Sequence, residues 1–202
     1  AHSGIIQIGV ERDPSIANCL IGLYAGCGFL VEAVEIFGQM PHKSVVSFTA
    51  LISGYAEHGY SEEALKYLDD MKQVGFFPDT IGFSCGVRAC SSIEEVWALH
   101  KQIAQTGFEM DLSVGTALIE MYTSLGALEE AHEVLKHLQV RDAVSWTALI
   151  SGYTEQGCFN EAIILLDKMQ DEGVIPDFFT FTCILKACGD TGSIHKGKEA
   201  HT

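Results

Sequence analysis

The chain has 202 residues, of which 48% are hydrophobic and 19% charged, with a formal net charge of −15; this is ample material for a core and too little charge for a disordered chain. The acidic balance argues against sequence-blind attraction to nucleic acid or anionic lipid, because a general phosphate binder carries a basic footprint. A membrane span is not expected: the nearest apolar run, Pro14 to Val31, is uncharged but is broken by Asn18, Gly22, Gly26 and Gly28.

The opening stretch AHSGIIQIGV has neither a basic n-region nor an Arg/Ser-rich character, so no signal or transit peptide is expected within the chain. The first clear pattern is PSIANCLIGLYAGCGFLVEAVEIFGQMPHKS, Pro14 to Ser44. Next comes SFTALISGYAEHGYSEEAL from Ser47, where Phe48, Leu51, Ile52 and Tyr55 stand at i, i+3, i+4 and i+7 and predict a helix, here called A. Gly59 interrupts, and Ala64, Leu68 and Met71 mark a second helix, B, opened by Glu62 and Glu63 and closed by Gly75 with Pro78 beyond. Further pairs of helical patterns follow over Thr80 to Asp111 and over Leu112 to Asp142, the latter related to Pro14 to Ser44. The stretch from Ser47 then returns at Ser145 as SWTALISGYTEQGCFNEAI, with Trp146, Leu149, Ile150 and Tyr153 on helix A and Ala162, Leu166 and Met169 on helix B. The segment FFTFTCILKACGDTGSIHKGKEAHT, from Phe178, is related to that beginning at Thr80.

Each pair has one apolar face, too wide for water and too small to be a core alone, so the pairs must stack. The fold class expected is all-α, a right-handed α-solenoid or superhelix of stacked helix-turn-helix repeats. The chain has seven cysteines, an odd number, and no C-x-x-C pair, which fits buried, reduced thiols acting as small hydrophobes in a reducing compartment. Eight scattered histidines form no H-x-E and no zinc spacing. Phosphate-loop, dinucleotide and nucleophile-elbow motifs are missing too, so no catalytic residue, metal or cofactor is expected, and the chain is read as a non-enzymatic module.

The wording W-T-A-L-I-S-G-Y, L-K-A-C, A-L-I-E-M-Y followed by G-A-L-E-E-A, and G-V-I-P-D closely resembles plant pentatricopeptide repeat proteins of the PLS subclass. On that resemblance, residues 14–44 and 112–142 are short S repeats, 45–79 and 143–177 are P repeats, and 80–111 is an L repeat. Residues 1–13 resemble the end of an L repeat and 178–202 the start of another, so an interior stretch of a longer array is expected. The L repeat at 80–111 departs from the pattern by being short between its helices, where SSIEEV meets helix B.

The resemblance implies binding to single-stranded RNA, one base per repeat, read by the residue after the helix A aromatic together with the last residue of the repeat. In this chain those pairs are Asn18 with Ser44, Thr49 with Asp79, Ser84 with Asp111, Thr116 with Asp142, and Thr147 with Asp177; Thr182 would begin a sixth. A hydroxyl donates and accepts, and a carboxylate accepts from the N–H groups on the guanine Watson–Crick edge, so Thr with Asp favours G. The residues flanking each base would be Ser15, Val46, Ile81, Ser113, Val144 and Phe179. Family polarity then gives a preference near 5′-(C or U)-G-n-G-G-3′, with n facing the short L repeat. Arg88 and Lys186 are the only cations on helix A and the candidates for phosphate contact, while Glu62, Glu63, Asp69, Asp70, Glu129 and Glu130 fall on helix B.

The resemblance also implies a role in chloroplast or mitochondrial RNA processing or C-to-U editing, with editing or processing proteins as partners, any deaminase lying outside this chain. Simpler readings stand beside these. Asp79 and Asp142 directly precede a helix and would be favoured N-caps in any case. A helical-repeat scaffold that binds a basic protein partner is the rival function, and cut repeat ends could drive self-association.

Overall fold

The structure is a computed structural model that describes the backbone of residues 13–191 and the side chains of residues 13–186. The repeat pieces assigned to residues 1–12 and 192–202, and the side chain of Cys188, lie outside the described residues. The described backbone is all helical. Its α-helices are α1 (Pro14–Gly26), α2 (Leu30–Gln39), α3 (Val45–Glu57), α4 (Ser61–Gln73), α5 (Thr80–Ala89), α6 (Ile93–Thr106), α7 (Leu112–Ser124), α8 (Leu128–His137), α9 (Ala143–Glu155), α10 (Phe159–Asp171) and α11 (Phe178–Thr191), with a short 3-10 turn at Phe108–Met110.

Polar side chains begin many of these helices. Asp13 accepts from Ser15 N at 2.9 Å with Pro14 at the first helical position, and Asp111 accepts from Ser113 N at 2.9 Å and Val114 N at 3.1 Å. Ser44, Ser92 and Asp142 each form a reciprocal capping box with the residue three positions on, satisfying two orphan donors at once. The hairpin turns end differently. After α3 and α9, Gly59 (φ 78°) and Gly157 (φ 76°) adopt the left-handed conformation, and the next N–H groups, of Tyr60 and Cys158, return to the carbonyls of Tyr55 and Tyr153.

The chain divides into two compact units, one up to Ser91 and one from Ser92. In the first, α1 pairs with α2 and α3 with α4 as antiparallel hairpins, and α3 packs between α1 and α5. Its core includes Ile21, Ala33, Phe37, Phe48, Leu51, Ile52, Leu68 and Met71. In the second, α7 pairs with α8 and α9 with α10, and α9 packs between α7 and α11 over Val114, Leu118, Trp146, Leu149, Ile150, Leu166 and Met169. The first helices of successive hairpins thus lie side by side within each unit, which creates a face made only of first helices.

Two sequence expectations need correction. The shortfall in the repeat at 80–111 lies within its first helix: α5 has 10 residues where α3 has 13, so about one turn is lost from the helix end and not from the loop. The cysteines are free, but Cys19 and Cys27 are exposed, Cys85, Cys158 and Cys183 are partly so, and Cys90 alone of the six described is buried. Cys19 falls off the Ala17, Ile21, Ala25 stripe that faces the core, and Cys27 sits at the helix C-cap. No helix among the described residues is long and apolar enough to cross a membrane.

Candidate functional site

An open cleft of about 560 Å³ runs across α7, α9 and α11 in the second unit, lined by Glu120, Thr123, Ser124, Val144, Thr147, Ala148, Ser151, Gly152, Glu155, Asp177, Phe179 and Cys183. Four predicted residues meet there: Thr147 and Asp177 from the polar pairs, and Val144 and Phe179 from the flanking set. Val144 is 56% exposed and Phe179 is 70% exposed, as apolar walls open to a ligand would be. Sequence reasoning missed Ser151 and Glu120 on the floor. They lie one turn beyond Thr147 and Thr116, with Glu155 and Ser124 a further turn on, so helical spacing alone would have found them.

The floor is acidic. Ser151 Oγ donates to Glu155 Oε1 at 3.1 Å, and in the first unit Ser53 Oγ donates to Glu57 Oε1 at 2.8 Å. No lysine or arginine is among the residues that line the cleft. Arg88 and Lys186 are exposed on α5 and α11, and Glu62, Glu63, Asp69 and Glu129 are exposed on second helices.

The polar pairs are built in different ways. Thr49, itself buried, donates from Oγ1 to Asp79 Oδ1 at 3.4 Å, and the same oxygen accepts from Gly82 N at 2.8 Å. Thr147 Oγ1 instead lies 2.6 Å from Thr180 Oγ1, which donates to Asp177 Oδ1 at 2.9 Å. The bond from Thr180 N to Asp177 Oδ1 at 2.8 Å, and after it the one from the Thr180 hydroxyl, hold the Asp177 carboxyl below its ordinary range. Thr116 is buried and Asp142 half-buried, with Asp142 Oδ1 capping Ser145 N at 2.9 Å. Ser84 is in the first unit and Asp111 in the second, so each belongs to its own half. Thr182 is exposed and its hydroxyl returns to Phe178 O at 2.8 Å.

The capping bonds of Asp79, Asp111, Asp142 and Asp177 all use Oδ1. Capping and ligand reading therefore need not compete, since a carboxylate has a second acceptor oxygen. Asn18 and Ser84 carry another signal. Their Oδ1 and Oγ are buried without a hydrogen-bond partner, as is Trp146 Nε1, and such groups are rare and costly in native folds. Ser15, Ser113, Val46 and Ile81 are exposed at the second position of their helices, in the register of Val144 and Phe179.

Family models of the PPR repeat family match residues 43–92 and 141–190, and models of the PPR repeat match residues 15–45 and 116–142. The chain belongs to the pentatricopeptide repeat family. A mitochondrial pentatricopeptide repeat-containing protein of Arabidopsis thaliana is 32% identical over 203 residues, 99% of this chain and 32% of that protein. A chloroplastic one from the same plant is 32% identical over 203 residues, 99% of this chain and 23% of that protein. The chain thus spans a third or less of the length of these relatives. The crystal structure of the maize pentatricopeptide repeat protein PPR10 matches with a TM-score of 0.71 at 24% identity, covering 91% of this chain and 28% of that one, which shows the shared solenoid fold. PPR10 has also been crystallised with an 18-nt psaJ RNA element. Residues 93–115, α6 and its exit, fall outside the family matches, next to the shortened α5.

Proposed function

We propose that this pentatricopeptide repeat chain is a sequence-selective single-stranded RNA-binding module of the PLS type, reading one base per repeat in an organellar RNA-processing or editing protein. The observation that carries the proposal is the α7, α9, α11 cleft, where Thr147, Asp177, Val144 and Phe179 line one space. An apolar wall on each side suits the faces of a planar base, and a hydroxyl with a carboxylate suits the donors of its Watson–Crick edge.

With repeats at 14–44, 45–79, 80–111, 112–142 and 143–177, the pairs Asn18 with Ser44, Thr49 with Asp79, Thr116 with Asp142 and Thr147 with Asp177 read C or U, G, G and G. The repeat at 80–111 is assigned no base. The acidic floor and the charge of −15 keep affinity modest, so selectivity has to come from base edges and stacking, with phosphates contributing little. Relatives named as mitochondrial and chloroplastic favour one of those organelles for this chain.

A fluorescent single-stranded RNA carrying 5′-C-G-N-G-G-3′ should bind more tightly than one in which the guanines are replaced by adenine. Recovery of a protein partner that survives nuclease treatment, with no RNA affinity at low salt, would favour the scaffold reading instead.

A further inference from the structure

Thr49 with Asp79 and Thr147 with Asp177 are the same pair in sequence, yet they differ at the residue three positions past the carboxylate, which is Gly82 in one and Thr180 in the other. Thr180 is completely buried, so its hydroxyl is part of the protein and not of the ligand surface. That hydroxyl has one proton and two lone pairs. It donates to Asp177 Oδ1 at 2.9 Å, accepts from Asp177 N at 3.2 Å, and lies 2.6 Å from Thr147 Oγ1. An ionised carboxylate can only accept and an amide N–H can only donate, so both of those bonds have a fixed direction. The remaining contact is satisfied only if Thr147 donates. The Thr147 proton is therefore committed inward, and toward a base this residue offers lone pairs alone.

At the other pair Gly82 supplies no hydroxyl. Its missing side chain is also a close approach, since a Cβ there would lie 3.3 Å from Asp79 Oδ1 and 3.4 Å from Thr49 Oγ1. Thr49 donates to Asp79 over a long 3.4 Å, a bond that can be exchanged for one to a ligand.

We infer that the residue three positions past the carboxylate sets the hydrogen-bonding face that the paired threonine shows to a base, and with it how strictly guanine is chosen over uracil. This rests on reading both pairs as guanine sites. Thr147 with Asp177 presents two acceptors. Guanine, with N1–H beside its N2 amino group, is the standard base whose Watson–Crick edge offers two adjacent donor groups. Uracil offers one N–H between two carbonyls and sets a carbonyl against the Thr147 lone pairs. Thr49, free to donate, can meet a carbonyl while Asp79 takes the N–H, an arrangement that fits guanine O6 and N1 and also uracil. Gly82 thus leaves its site tolerant, and Thr180 makes its site strict.

The test compares guanine with uracil at the second and fifth nucleotides of 5′-C-G-N-G-G-3′, using the full 202-residue chain. In the unmodified chain the G-over-U affinity ratio at the fifth nucleotide should exceed that at the second by about three- to tenfold, the worth of one hydrogen bond made or lost. Thr180→Val removes the hydroxyl at nearly constant shape, and Thr180→Gly recreates the Gly82 setting. Both should bring the fifth-nucleotide ratio down to that of the second and leave the second unchanged, with helical circular dichroism confirming the fold. Equal ratios at the two nucleotides in the unmodified chain, or a fifth-nucleotide ratio that Thr180→Val leaves intact, would overturn the inference while the RNA-binding reading stands. Absence of any guanine preference would bring down that reading itself, and this inference with it.

Discussion

Gly152 on α9 rests against Thr123 on α7 so closely that a Cβ on the glycine would collide with the Thr123 Cβ and Cγ2. The same relationship holds in the first unit between Gly54 on α3 and Ala25 on α1. These contacts set the spacing of neighbouring first helices, and so the width of the face that carries the polar pairs. Two effects oppose each other in Gly152→Ala: alanine gains about 1 kcal/mol of helix propensity, and overpacking against an adjacent helix costs about 1–3 kcal/mol. Because the obstacle includes the Thr123 Cβ, which cannot move without its backbone, overpacking should win. Gly152→Ala should lower the thermal midpoint in circular dichroism; an unchanged or raised midpoint would show that the helices can separate freely.

Those glycines also show what the sequence made legible. The periodic Leu51, Ile52, Leu149 and Ile150 mark a core face by spacing alone, and all four are fully buried. The glycine of the repeated S-G-Y carries no such periodic signal, since a glycine in a helix can be a tolerated cost or a contact point, and only the neighbouring helix distinguishes the two. Thr147 and Asp177 could be nominated from repeat position, but Thr180 could not. Its role depends on three hydrogen bonds converging on one buried hydroxyl, and no spacing rule encodes that. That the missing turn is in α5 and not in the loop is not legible in the sequence, because a short repeat has the same length wherever residues are removed.

Asp177→Asn separates capping from reading. Asparagine caps a helix about as well as aspartate, so stability should hold within about 0.5 kcal/mol. The amide carries donors where the carboxylate has none, so guanine preference at the fifth nucleotide should fall. Anisotropy titrations beside a thermal melt check both halves. Loss of stability without loss of preference would leave Asp177 as a cap and nothing more.

The pH response follows from the depressed Asp177 carboxyl, lowered chiefly by its backbone bond from Thr180 and further by the Thr180 side chain. A carboxyl whose folded pKa lies below its ordinary value of 3.8 remains ionised as pH falls, and its contribution is lost only below that value. The guanine preference at the fifth nucleotide should therefore be flat from about pH 7 to about pH 5. A steady decline over that window would mean that another group sets the preference.

Phe179 is 70% exposed, so Phe179→Ala should leave the melting midpoint almost unchanged. If it walls a base, the substitution should weaken RNA binding by about 1–3 kcal/mol, the usual worth of one stacking side chain. Unaltered affinity would place RNA elsewhere on the chain.

Arg88 and Lys186 are the candidates for phosphate contact, and each phosphate contact to a single strand contributes about −0.7 to the slope of log K against log salt. The slope should therefore lie near about −1 to −2, and Lys186→Ala should reduce its size by about 0.7. A steep slope would reveal a cationic surface not yet assigned.

If the residue pair chooses the base, exchanging the pair should exchange the base. Thr147→Asn together with Asp177→Ser rewrites the fifth pair as a copy of Asn18 with Ser44. Affinities for four RNAs differing only at the fifth nucleotide should then shift from a preference for guanine to one for cytosine or uracil, with the guanine preferences at the second and fourth nucleotides unchanged. A doubly substituted chain that folds, binds and still selects guanine at the fifth nucleotide would mean that the pair does not choose the base.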